Sequence, residues 1–140
     1  MRALLTLTFL LFFKVNFSQT LLPEALDVQK AFEKLSKTPS DQSCRKAYVE
    51  SFPSNSMVFL KVFNPEEFDQ LYSVSDKYID AIEQSASSFP KEVISKLVDI
   101  GKNLTWDADA VSHLQQVSVS LAAKYPKLFV EKYKSLNEKE

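Results

Sequence analysis

The stretch NLTWDADAVSHLQQ, residues 103–116, holds the chain's one tryptophan, Trp106, and its one histidine, His113, with Asp107 and Asp109 between them. A carboxylate one helical turn before an imidazole can orient the ring and raise its basicity, which makes Asp109 and His113 a candidate acid/base pair. The same two side chains could be two ligands of a metal ion whose others come from elsewhere. Set on a helix at about 100° per residue, Asp107 projects about 160° away from Asp109, so the three polar groups do not converge. Each also has an ordinary structural role. Thr105 or Asp107 can cap the helix, Asp109 suits the positive end of its dipole, and an i,i+4 Asp–His pair is a common surface contact. Trp106 reads as an anchor at the edge of a core or as a platform for a ligand. We favour the structural account. Trp106, Asp109 and His113 go forward as candidate binding residues, with no catalytic residue, metal or cofactor assigned.

Little else in the sequence could do covalent or phosphate chemistry. Cys44 is the only cysteine. It shares a helical face with Ala47 and Tyr48 and is expected to be a small buried hydrophobe, the alternatives being an intermolecular disulfide or a nucleophile activated by His113. Gly101 is the only glycine. Phosphate-cradling loops and dinucleotide fingerprints need several glycines at fixed offsets, because backbone must approach the anion closely, so both are excluded. Serine-esterase elbows, His-Glu-x-x-His helices and Cys/His zinc clusters fail on residue counts alone.

The chain opens MRALLTLTFLLFFKVNFSQ, with a cation at Arg2, an apolar run from Ala3 to Phe13 and the small Ser18 before Gln19. That is the plan of a secretory signal peptide, and we expect cleavage after Ser18. The apolar run is about half of the roughly 20 residues that a membrane span requires, and Lys14 interrupts it, so no integral span is expected after cleavage. The expected product is a single helical domain over residues 19–140, in the periplasm or outside the cell. The leader carries Arg2 and Lys14 and no acid, so its loss moves the formal charge from −1 to −3. No basic patch suited to a phosphate backbone is evident, and nucleic acid is not an expected partner. One cysteine cannot make a disulfide framework within the chain, which leaves apolar packing to hold the domain.

The elements that must position these residues are helices. Apolar side chains recur at three and four along the chain, as in Phe68, Leu71, Tyr72, Tyr78, Ile79 and Ile82, while period-two alternation is scarce. The expected fold is all-α, an irregular bundle of six to seven helices in successive hairpins, over 23–37, 41–51, 54–63, 65–87 with a break near Ser73, 90–101, 106–124 and 126–137. Punctuation supports these limits: Ser40 and Asp41 precede one helical run, and Asn64-Pro65-Glu66-Glu67 has the order of a cap, a first-turn proline and acids in the first turn. Three breaks share an aromatic followed by proline, at Phe52-Pro53, Phe89-Pro90 and Tyr125-Pro126. Four, seven and ten residues beyond each proline stand Met57, Leu60 and Phe63, then Ile94, Leu97 and Ile100, then Val130, Tyr133 and Leu136. Asn64, Gly101 and Asn137 follow, types that tolerate the left-handed end of a helix. Such units could stack as a solenoid does, although any proline-opened amphipathic helix would match the same positions.

Serine-flanked SMVFLKVF, residues 56–63, is apolar on most sides, and central burial is its expected fate. The alternative is a wall for an apolar small molecule, with Tyr72, Tyr78 and Phe89 around it. The segments FPSNSMVFLKVFN, LYSVSDKYI and WDADAVSHLQ resemble a pattern in an uncharacterised family of secreted bacterial all-helical proteins. The resemblance covers these separate segments and implies export and an α fold. It brings no activity and no functional residue. The expected function is that of an exported non-catalytic helical protein acting on a protein partner, the alternatives being a carrier of an apolar small molecule and a small hydrolase or metal-dependent enzyme built on Asp109 and His113.

Overall fold

The structure is a computed structural model that describes residues 21–63, 70–104 and 110–137. Among these residues it is all-helical: α1 (Pro23–Lys37), α2 (Gln42–Ser51), α3 (Ser56–Phe63), a 3-10 turn (Tyr72–Val74), α4 (Ser75–Ser85), α5 (Pro90–Gly101), α6 (Ala110–Lys124) and α7 (Pro126–Asn137). The starts follow local chemistry. Pro23, Pro90 and Pro126 each open a helix, where a missing N–H is harmless. The Asp41 carboxylate caps α2, accepting from the N–H groups of Ser43 (2.7 Å) and Cys44 (3.2 Å) and from the Ser43 hydroxyl. Asn55 does the same for α3 through the Val58 N–H at 3.0 Å, so that helix begins at Ser56, two residues later than Ser54.

One expectation is met and one is corrected. The break anticipated near Ser73 is there: Gln70 and Leu71 lie in a bend and the 3-10 turn Tyr72–Val74 precedes α4, which ends at Ser85 rather than Ser87. The Leu71 N–H donates instead to the Val62 carbonyl, 3.0 Å away, tying this segment back to α3. Gly101 does not end α5 in the left-handed conformation. Lys102, which follows it, stays in right-handed helical space (φ −53°, ψ −39°) and donates to the Val98 carbonyl, so the helix runs out through an ordinary turn. Asn64 and residues 65–69 lie outside the described residues.

The helices form two stacked rows. In one, α1, α3, α5 and α7 each pack on the next; in the other, α2, α4 and α6 do so, and the rows meet where α1 packs on α2, α4 on α5, and α6 on both α5 and α7. This is the neighbour order of stacked helical hairpins, in which each unit buries the face of the one before it. The three aromatic-proline units show the consequence. Ile94, Leu97 and Ile100 of α5, with neighbours on both sides, are all buried. Their counterparts Val130 and Tyr133 on α7, at one end of the row, are exposed.

SMVFLKVF contributes one face to the core. Phe59, Val62 and Phe63 are buried, and Met57 is on the exposed face. Phe32, Tyr48, Phe52, Phe59, Phe63 and Tyr78 form a chain of ring contacts with centroids 4.4 to 6.4 Å apart, in tilted and edge-on arrangements. Within it the Tyr48 hydroxyl donates to the Tyr78 carbonyl at 2.6 Å, joining α2 to α4 and satisfying a polar atom that would otherwise be stranded. Lys96 on α5 places its ammonium on the last carbonyls of α2, 2.6 Å from Phe52 O and 3.2 Å from Glu50 O. Burial there pulls its pKa down.

Candidate functional site

His113 sits where helix periodicity puts it, on the flank of the stripe Ala110, Leu114, Val117 and Leu121, all of which are buried. That stripe docks α6 on α4, and the contact gives His113 its partners. Asp76 and Asp80, one turn apart on α4, both face the ring. Nε2 is 2.9 Å from Asp80 Oδ1, a hydrogen bond in which the ring N–H donates. Nδ1 is 3.6 Å from Asp76 Oδ1, a charge contact too long for a hydrogen bond. One turn further along the same seam, the Ser120 hydroxyl donates to Glu83 Oε1 at 2.8 Å. The Asp80 hydrogen bond and the longer Asp76 contact tie α6 to α4 through this ring.

The other two candidates, Trp106 and Asp109, lie outside the described residues, so the anticipated Asp109–His113 pair and the Trp106 platform have no described geometry. Cys44 differs from expectation: it is half-buried in the first turn of α2, and its Sγ accepts from the Thr38 hydroxyl at 3.4 Å. It and His113 thus have different partners. Among the described residues no group of three or more His, Cys, Asp or Glu side chains is placed to hold a metal ion. None of the described helices is long and apolar enough to cross a membrane.

Asp80 also borders a cleft of about 380 Å³ between α1, α2 and α4, with Phe32, Leu35, Arg45 and Lys77. Arg45 is committed to structure here. Its guanidinium donates to the Gln84 carbonyl at 3.0 Å and to the Pro39 carbonyl, pinning the α1–α2 turn to the end of α4.

A larger cleft, about 680 Å³, opens between α5, α6 and α7. Leu97 and Val98 line it from α5, Leu114 and Val119 from α6, Phe129 and Tyr133 from α7. Its rim is apolar and wet: Val119 is 70% and Tyr133 62% exposed. Sequence reasoning missed this place, although two signals were present. Val119 falls off the buried stripe of α6, and Tyr133 repeats the register of Leu97 with no described helix beyond α7 to cover it. The surrounding hairpin is basic. From Ala110 to Asn137 there are four lysines, at 124, 127, 132 and 134, against one carboxylate, Glu131, in a chain whose formal charge is −1. Lys132 is engaged with Asp99 of α5 at 2.8 Å, which closes the α5–α7 contact.

Compared with protein-family models, curated proteins and solved structures, the chain matches none of them.

Proposed function

We propose that this chain is a non-catalytic contact protein, exported by the leader at residues 1–18 and holding a protein partner in the periplasm or outside the cell. The observation that carries the reading is the cleft between α5, α6 and α7, where the apolar packing stays open and Val119 and Tyr133 stand in water at its rim. Exposed apolar rims of this kind mark surfaces meant to be covered. The contacts of His113 with Asp76 and Asp80 join α6 to α4, which gives the ring a structural role under this reading. The leader reading and the resemblance to secreted helical proteins support export.

The test is a photo-crosslinking amino acid at position 119, with position 33 on α1 as the control site, in the cells that make the protein. A discrete adduct from 119 and none from 33 is the expected result. No adduct from 119, together with turnover of a substrate by the purified protein, would refute the reading.

The cleft also favours one second reading, a carrier of an apolar small molecule, because its volume falls within the roughly 300–1,000 Å³ of small-molecule sites. On this account the ligand lies at α5–α7 and not beside SMVFLKVF, whose aromatic side chains close on one another. Native mass spectrometry decides it: the bare polypeptide mass alone removes the carrier.

A further inference from the structure

We propose that the cleft between α1, α2 and α4 is a binding site for a small organic carboxylate, a singly charged anion with an apolar body. It shares no lining residue with the α5–α7 cleft and does not depend on a partner being held there. Its volume of about 380 Å³ lies within the roughly 300–1,000 Å³ of small-molecule sites. Two kinds of surface meet in it. Phe32 and Leu35 of α1 and Ala81 of α4 are apolar, while Arg45 of α2 and Lys77 of α4 bring cations.

The state of Arg45 selects the sign of the ligand. Its guanidinium has five N–H donors, of which the Gln84 and Pro39 carbonyls take one each. Its Nε is shut from solvent and has no hydrogen-bond partner, the one such side-chain atom among the described residues. Two neutral carbonyls hold the fork in place but leave its charge uncompensated, because no carboxylate among the described residues pairs with it. Lys77 is exposed and forms no ion pair among them either. A carboxylate in the cleft would supply the missing charge and accept from the Nη hydrogens that the carbonyls leave free. Asp80, the one acid of the lining, already bonds His113 through Oδ1. With Arg45 and Lys77 against Asp80, the lining has one positive charge in excess, which suits a monoanion. Inorganic phosphate would leave the apolar surface of Phe32 uncovered, whereas an organic acid lays its body there.

The experiment titrates isotopically labelled exported protein with phenylacetate, followed by NMR, and in parallel with phenylacetamide and phenylethylamine, which keep the aromatic body and change the charge. Arg45 is the only arginine beyond the leader, so its Nε–H resonance is a lone reporter within the site. Phenylacetate should shift that resonance and the Ser36 and Gln84 amides saturably, and the amide and the amine should bind about tenfold or more weakly. Ser36→Trp places a large side chain at an exposed position on the cleft; it should abolish these shifts while helical circular dichroism and the unfolding midpoint stay in place. Lys77→Glu, which reverses one of the cations, should weaken binding several-fold. Arg45→Lys keeps the charge and loses the fork, and should weaken it by about tenfold or more. Arg45 also pins the α1–α2 turn, so if that variant unfolds, Ser36→Trp and Lys77→Glu decide the matter. No saturable shift with phenylacetate, equal binding of the three probes, preference for the amine, shifts confined to α5–α7 positions such as Val119 and Tyr133, or binding that survives Ser36→Trp would each overturn the proposal.

Discussion

Tyr48→Phe isolates one hydroxyl in the centre of the fold. Tyr48 has no exposed surface, and its O–H donates 2.6 Å to the Tyr78 carbonyl. Phenylalanine keeps the ring contacts with Phe32 and Phe52 and removes only that bond. The carbonyl it leaves lies inside α4, where it retains its place in the helical ladder, so the loss should be near the ordinary net value of about 1 kcal/mol. The more telling result is its pH dependence. Burial first, and the neighbouring Tyr78 second, push the Tyr48 pKa well above the usual tyrosine value. A pKa raised in the folded state gives stability that is complete below the unfolded value of ~10 and is lost as pH climbs toward and through the folded one. In that window the wild type should lose up to about 1.4 kcal/mol per pH unit relative to the variant. Its advantage should therefore shrink to nothing roughly one unit above pH 10 and then reverse. Tyr78, whose pKa burial also raises, is present in both proteins and largely cancels in the difference. Urea unfolding followed by circular dichroism from neutral pH to about pH 11 measures the gap. A difference that stays constant across that range would refute the shielding of this phenol.

Two further predictions test the row structure and the histidine. Leu97→Ala and Tyr133→Ala change the same register position in successive units, one 2% and the other 62% exposed; thermal or urea unfolding should show a loss of about 2–5 kcal/mol for the first and within about 0.5 kcal/mol for the second. Comparable losses would mean that α7 is packed like an inner helix. His113→Ala should lower stability by about 1 kcal/mol or less, since the contacts with Asp76 and Asp80 are partly exposed; an unfolding midpoint that does not move at all would count against a fastening role.

How much was legible in the sequence depended on the range of the interaction. Helix limits set by neighbours within a turn were readable: capping residues at Ser40 and Asp41, of which Asp41 is the cap, Pro90 and Pro126 as openers, the buried stripe of α6. Limits set by distant contacts were not. Leu71 has the apolar period of a helix, yet its N–H is taken by Val62 of α3, and no local pattern announces that. The left-handed end expected at Gly101 failed for the opposite reason, since glycine permits that conformation without requiring it.

The candidate site shows the same division more sharply. Helix geometry put His113 on the flank of α6, and that placement holds. What the ring does there depends on which helix α6 lies against, and its carboxylates come from positions 33 and 37 residues earlier in the chain. Asp76 and Asp80 look like solvated charges on α4 until α6 is docked beside them. The α5–α7 cleft is hidden for a related reason. Tyr133 and Leu97 are equivalent in sequence register, and only the position of each helix in its row makes one core and the other surface. A repeated apolar pattern therefore carries two meanings. In the middle of a stack it marks what holds the protein together, and at the end of one, on α7, the same positions stand exposed.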